Sequence, residues 1–126
     1  MSSVDQDLFG FIREQLRSVW ALELLLLMRR KADRHWSAQE LVDELRASAS
    51  LVNDNLATFQ RAGLVVSDEA GRFSFSPASP VLRSLCDQLD EIYRERPVTV
   101  INAIVSPPDK LQTLADAFRI KGGDHP

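Results

Sequence analysis

The sequence predicts a mainly α-helical protein with one small β-hairpin, and three observations lead to this fold class. Apolar residues recur every three or four positions through most of the 126 residues, which is the spacing of a helix face packed on a core. Serines precede several of these stretches, where their side chains can cap a helix N-terminus. Two short runs, residues 64–67 and 72–76, flank a loop at 68–71 in which Gly71 suits the left-handed position of a hairpin turn.

These patterns predict helices near residues 4–17, 18–33, 38–46, 50–62, 79–96 and 109–121. The first helix carries Leu8, Ile12 and Leu16 at helical spacing. Ser3 and Gln6 fit a capping box at its start. We therefore expect an amphipathic helix at the beginning of the chain.

The second predicted helix, which Ser18 can cap, is apolar almost all round. A helix of this kind is normally central in its domain and covered on several sides. Ser37 and Glu40 form a capping box at the start of the third helix. Ser48 or Ser50 caps the fourth helix after a tight turn.

The fourth helix repeats Val52, Leu56 and Phe59 on its inner face, and Gly63 follows as a left-handed C-cap. A short strand around Trp36 can add a third strand to the hairpin. Ser79-Pro80 starts the fifth helix, with proline at the first helical position. Residues 97–108 suit either a strand or a helix, and we favour a helix after a kink.

Composition and charge exclude several classes of protein. The chain is 44% hydrophobic and 26% charged, which is typical of a folded domain. With a single cysteine, Cys86, and two histidines, no disulfide within the chain is possible, and we expect neither a metal site nor a cofactor. No apolar run is long enough to span a membrane and no signal peptide is visible. A soluble cytoplasmic protein is therefore expected.

Between residues 18 and 96 the predicted order is a long helix, a short helix, a tight turn, a second short helix, a hairpin and a long helix. The informative stretches are SAQELVDEL from residue 37, LV at 51–52 and FQRAGLV from residue 59. Together they resemble the winged helix-turn-helix domains of MarR-like and ArsR-like transcriptional regulators. Such domains have a capped Glu-Leu helix, a Ser-rich turn and a helix ending in Leu-Glu-x-x-Gly-Leu-Val; here Phe59-Gln60 replaces Leu-Glu.

The resemblance implies a winged helix-turn-helix with N- and C-terminal helical extensions. Residues 1–17 would form an N-terminal packing or dimerisation helix, 18–78 the winged helix-turn-helix, and 79–126 a C-terminal dimerisation extension. The implied function is regulation of transcription by binding double-stranded DNA as a homodimer. Neither an effector ligand nor a target sequence follows from the residues.

The fourth helix would then be the recognition helix, whose exposed side chains reach base edges in the major groove. Asparagine can pair with adenine and arginine with guanine, while serines at the helix start can bind phosphates. The DNA-binding residues expected on this helix are Ser48, Ser50, Asn53, Asp54, Thr58 and Arg61. In the wing, Arg72 is the expected contact.

The charge of this region leaves an alternative function open. Residues 36–77 carry three basic and six acidic side chains, a net charge of −3, although phosphate contacts supply most non-specific affinity for DNA. Asp54 stands where MarR-like proteins often have arginine. The basic group Arg29, Arg30, Lys31 and Arg34 would help only if it lay near the duplex. A winged helix that binds a protein partner instead of DNA would explain Leu51, which we expect to be partly exposed.

Three apolar stripes lie outside the predicted winged domain, and we expect them to form the homodimer interface. Their residues are Leu8, Ile12, Leu16, Leu82, Leu89, Ile92, Leu111, Leu114 and Phe118. The opposite possibility is that the terminal helices pack on their own domain.

We do not expect an enzyme. The adjacent carboxylates Asp43/Glu44 and Asp90/Glu91 point to different sides of their helices, so they cannot act as a pair and are expected to be solvated. His35 is expected to be a surface residue and Cys86 a buried, unreactive thiol. Trp20 and Trp36 are both expected in the core.

Overall fold

The computed structural model describes residues 2–105, with side chains from residue 7 onward. In that range the chain is mainly helical with one two-stranded antiparallel sheet, which confirms the predicted fold class at that level. The elements are α1 (Ser2–Gln15), α2 (Val19–Arg30), α3 (Ala38–Leu45), α4 (Ala49–Arg61), β1 (Val65–Ser67), β2 (Phe73–Phe75), α5 (Pro80–Glu95) and α6 (Pro97–Val105). The helix predicted at 109–121 lies outside the described residues.

Local side-chain caps fix where the helices begin. The Ser18 hydroxyl accepts a hydrogen bond from the Ala21 N–H at 3.1 Å. Ser37 and Glu40 form the predicted capping box, with distances of 2.9 and 3.1 Å. Ser79 caps α5, whose first residue is proline. Because each cap satisfies N–H groups that a helix leaves unpaired, the sequence predicts these boundaries well.

Two helices depart from their predicted bounds. α1 spans Ser2–Gln15, two residues earlier at each end than expected, and α2 ends at Arg30, three residues before the expected end at 33. The predicted break after α5 lies at Arg96, whose φ of −139° and ψ of 66° are not helical. Pro97 follows, and the residue before a proline avoids the helical region. The favoured helix after a kink is therefore confirmed for residues 97–105.

The two predicted strands pair antiparallel, with Val65 opposite Phe75 and Ser67 opposite Phe73. Gly71 takes the left-handed conformation at φ 79°. Trp36 pairs with Phe73 through two backbone hydrogen bonds of 2.8 and 2.7 Å. The expected third strand is thus a single bridge, and β2 lies between it and β1.

α2 is the central helix of the core, as predicted. It packs against α3, α4, α5, α6 and β2. Neither α2 nor any other helix in residues 2–105 is long and apolar enough to cross a membrane. Trp36 is buried as expected, but Trp20 is 43% exposed, so its prediction as a core residue was wrong. Trp20 shares with Glu23 and Leu27 the one stripe of α2 that its neighbours do not fully cover.

A buried carboxylate fastens α2 to α5. Asp90, expected to be solvated, has only 4% of its surface exposed. Its oxygens accept hydrogen bonds from Arg29 at 2.6 Å and from Arg30 at 3.0 Å, and Arg94 lies 3.6 Å away. The expectation was wrong because it considered each helix alone, whereas α2 brings two cations to this side of α5. Its neighbour Glu91 is exposed.

Candidate nucleic-acid interface

The turn between α3 and α4 has a defined backbone. Arg46 ends α3 with a φ of 56°, the one positive φ among the described residues other than glycine. The Ala47 N–H then donates to the Val42 carbonyl at 3.2 Å. Ser48 starts α4 by accepting from the Leu51 N–H at 3.1 Å. This sequence of bonds fixes the direction in which α4 leaves α3.

α4 presents two distinct faces. Val52, Leu56 and Phe59 are at most 1% exposed and hold the helix on the core. The opposite side carries exposed polar residues of the predicted reading set, namely Ser50, Asn53, Asp54 and Arg61. The structure therefore brings these four side chains together on one accessible surface.

Two other predicted residues of α4 are partly engaged by the protein itself. Thr58 is half-buried, and its hydroxyl donates to the Asp54 carbonyl at 3.1 Å. The oxygen of the same hydroxyl accepts from the Arg61 guanidinium at 3.4 Å. The Ser48 hydroxyl oxygen serves as the helix cap, but its proton remains a donor toward solvent. Ser48 is exposed, so a phosphate could approach it.

The loop of the hairpin is organised by Asp68 and not only by glycine. The Asp68 carboxylate accepts from the Ala70 and Arg72 N–H groups, both at 2.9 Å, and His35 Nδ1 lies 3.1 Å away. The Arg72 N–H is the main cause that lowers the pKa of Asp68, and His35 adds to the effect. Sequence reasoning counted Asp68 only as a negative charge and missed this role. Asp68 stands two residues before the Ala70 N–H that donates to its carboxylate, which is the spacing of an Asx turn.

α4 and the hairpin form one continuous surface. The Gln60 amide at the end of α4 donates to the Ser67 hydroxyl of β1 at 3.2 Å. The Arg72 side chain is exposed beside the hairpin loop. Gly63, between the two elements, has a φ of 80°, as predicted for its position.

Most of the basic group at the end of α2 is engaged by other contacts of the chain. Arg29 and Arg30 bind Asp87 and Asp90 of α5. The Arg34 guanidinium lies 3.7 Å from the centroid of the Trp36 ring. These three arginines therefore have partners within the chain, and a phosphate contact by this basic group stays a prediction.

A cleft of about 620 Å³ lies beside α4, against the end of α1 and the residues that follow it. Its lining residues from α4 include Leu51, half-buried as expected. Across the cleft lies Arg17, an exposed residue that sequence reasoning did not select. No local pattern selects it, because the cleft brings together the end of α1 and α4, which are distant in sequence.

The expected dimerisation residues within residues 7–105 are mostly covered by the chain itself. Leu8, Ile12, Leu16 and Leu89 are at most 6% exposed, and Leu82 and Ile92 pack partly against the same core. α1 packs on α5 and α6 of its own chain, as in the opposite possibility that the sequence left open, and the part of these residues in a homodimer stays a prediction. Leu111, Leu114 and Phe118 lie outside the described residues.

The titratable groups outside this surface offer little chemistry. Cys86 is buried, as expected, and burial raises its thiol pKa to about 12. His35 is exposed at the surface, as expected. Among residues 2–105, no three His, Cys, Asp or Glu side chains are grouped to hold a metal ion.

No family model matches the chain, and neither a curated protein nor a solved structure is significantly similar to it.

Proposed function

We propose that this protein is a cytoplasmic DNA-binding regulator of transcription, built on a winged helix-turn-helix in which α4 is the recognition helix and the hairpin is the wing. The observation that carries the proposal is the two-faced α4. Its inner face is locked in the core, and its outer face presents exposed polar side chains next to the hairpin. Such a helix can enter the major groove without losing its packing.

The exposed side chains match the chemistry of base edges. Asn53 can form a bidentate pair with adenine, and Arg61 can do so with guanine. Asp54 can accept a hydrogen bond from the cytosine amino group. Ser48 and Ser50, at the start of α4, can bind phosphates and set the register of the helix on the duplex.

Charge limits the affinity. Arg46, Arg61 and Arg72 are the three cations of residues 36–77, and all three are exposed. The hydrogen bonds to Asp68 offset part of the repulsion from the hairpin loop, but Asp54 stays exposed on α4. We therefore expect weak binding that falls steeply with salt, because each phosphate contact releases counterions.

The test is binding to a generic duplex of about 20 base pairs at low salt, followed by fluorescence anisotropy. Arg72→Ala is expected to weaken all sequences alike and to lower the salt slope by about 1. Arg61→Ala is expected to cost about 1–3 kcal/mol on a preferred sequence and to relax specificity at one base pair. Asp54→Asn is expected to raise non-specific affinity.

Arg83→Ala is the matched control. Arg83 is exposed on α5, one turn from Asp87, which binds Arg29 at the far end of α2. Its removal changes the net charge equally but is expected to leave binding unchanged. No binding by the parent protein at low salt, with all variants equally inactive, would reject the proposal.

We also propose a homodimer. A two-fold axis would present two recognition helices to one duplex and would double the number of cations that contact it, which would raise the affinity. With the stripes of α1 and α5 covered, this proposal depends on Leu111, Leu114 and Phe118. Sedimentation at micromolar concentration is expected to give twice the 14.2 kDa of the chain. A stable 14.2 kDa species would contradict it.

A protein-interaction module that does not bind DNA is the second candidate, and the cleft beside α4 favours it. Leu51 lies half-buried in that cleft beside both acidic and basic side chains, which suits a peptide that carries both charges. A verified dimer without DNA affinity would support this candidate. We propose no enzymatic activity and no cofactor for either function.

A further inference from the structure

The cleft beside α4 holds charges that are not paired within the protein. Its charged lining residues are Glu14 and Arg17 on one wall and Asp54 and Arg61 on the other. Among the described residues, none of these four lies within ion-pair distance of an opposite charge. Apart from the 3.4 Å hydrogen bond that Arg61 donates to the Thr58 hydroxyl, these charges are left to solvent or to a ligand.

The backbone on either side of Arg17 is fixed. Leu16 is 1% exposed, and its N–H donates to the Ile12 carbonyl at 2.9 Å. Ser18 caps α2 by accepting from the Ala21 N–H. The backbone at Arg17 is thus fixed while its side chain is exposed. Because the backbone is already ordered, less entropy is lost when Arg17 binds a ligand.

Two further features favour an anion in this cleft. Ser18, the N-cap residue of α2, lines its wall, and no acidic residue lies in the first turn of α2. The positive end of the helix dipole therefore lies beside the cleft that the two guanidinium groups also line. Glu14 and Asp54 oppose this preference and limit its strength.

We propose that the cleft is the path of one DNA strand past α4, and that Arg17 binds a backbone phosphate flanking the bases that α4 meets. This inference rests on the DNA-binding function proposed above. A helix lying in the major groove has a phosphate backbone on each side of it. The hairpin, with Arg72, lies on the side of α4 marked by Gln60, and the cleft lies on the side marked by Leu51. Arg17 and Arg72 would then contact the two strands.

The experiment compares salt-dependent duplex binding by the full-length protein and four variants, Arg17→Gln, Arg61→Gln, Glu14→Gln and the control Arg83→Gln. Arg17→Gln is expected to weaken binding roughly fivefold or more at low salt and to reduce the salt slope by about 0.9, the value for one phosphate. Glu14→Gln is expected to strengthen binding. Thermal unfolding of each variant checks that these surface changes leave the fold intact.

The outcomes separate the two proposals. If Arg61→Gln weakens binding while Arg17→Gln behaves like Arg83→Gln, the path through the cleft is wrong and the DNA-binding function stands. If the parent protein binds no duplex at low salt, both proposals fall. A titration with inorganic phosphate alone is expected to show no saturable binding. Saturable binding that Arg17→Gln abolishes, without an effect of this variant on DNA, would overturn the inference in favour of a free anion.

Discussion

Asp90 joins α5 to α2 through two arginines. Its side chain is 5% exposed and meets Arg29 and Arg30, whose side chains are 24% and 49% exposed. Removing the carboxylate leaves Arg30 without its acidic partner and Arg29 with Asp87 alone, in a partly buried place. Because those guanidinium groups keep some contact with water, the expected loss of unfolding free energy is smaller than for a fully buried ion pair.

We expect Asp90→Ala to lower the free energy of unfolding by about 2–3 kcal/mol. Asp87→Ala is the matched control, since Asp87 also binds Arg29 but its side chain is 56% exposed. Its loss is expected to stay below about 1 kcal/mol. Urea denaturation measures both, and equal losses for the two variants would contradict the structural role given to Asp90.

Asp68 gives a second prediction at this scale, through its pKa. The Arg72 N–H, and then His35, hold this pKa below the ordinary value of about 3.9. At pH values above the ordinary pKa, the charged Asp68 carboxylate therefore contributes to the stability of the hairpin. This contribution is lost as the pH falls through the lowered pKa of Asp68. Titration of the Asp68 carboxyl by NMR is expected to show the low value, with a partial rise in His35→Ala. An unshifted pKa would show that the loop is organised otherwise.

Single residues were predictable where their partners are close in sequence. The caps at Ser18, Ser37 and Ser79 depend on N–H groups three residues away, so a local pattern identifies them. Asp90 and Trp20 were misjudged because their surroundings depend on how α2 meets other helices. A local pattern carries no information about a partner about 60 residues away.

At the scale of elements, the link from α4 to the hairpin depends on a glycine in the left-handed region. Gly63 has a φ of 80°, and a Cβ there would lie 3.2 Å from the Ala78 Cβ. Gly71 has nearly the same φ of 79°, but nothing lies within 4 Å of a Cβ at that position. Both glycines avoid backbone strain, and only Gly63 also avoids a clash.

Gly63→Ala and Gly71→Ala therefore form a matched pair. Each is expected to cost about 1–2 kcal/mol of unfolding free energy from the left-handed backbone, and Gly63→Ala is expected to cost more because Ala78 must move. Chemical denaturation checks the order of the two variants. A larger loss of unfolding free energy in Gly71→Ala than in Gly63→Ala would contradict this order. It would mean that Ala78 moves away from the added methyl group at little energetic cost.

The elements themselves were largely predictable, because caps, apolar spacing and turn glycines act locally. The boundaries of α3 and α4 agree with the prediction to within one residue at each end. The packing of α1 was not predictable, since its stripe of Leu8, Ile12 and Leu16 fits a neighbouring helix or a second chain equally well. Only the placement of α5 and α6 decides between them.

At the scale of the whole molecule, the sequence predicted which residues of α4 share the candidate surface, but it did not predict how the charges around that surface are paired. Ser50, Asn53, Asp54 and Arg61 lie together as the helical spacing indicated. The sequence could not show that Arg29 and Arg30 bind α5, or that Arg17 faces α4 across a cleft. These contacts join segments distant in sequence, and they redistribute charge around the surface.

The most direct test of the DNA-binding account is a titration of the ¹⁵N-labelled protein with a generic duplex at low salt, followed by amide chemical shifts. The account predicts shifts concentrated at residues 48–61 and 68–72, with further shifts at 16–18 if the cleft takes a strand. Amides of α6 serve as the internal control and are expected to stay unchanged. Shifts confined to α5 and α6, or no shifts at all, would contradict the assignment of α4 as a recognition helix.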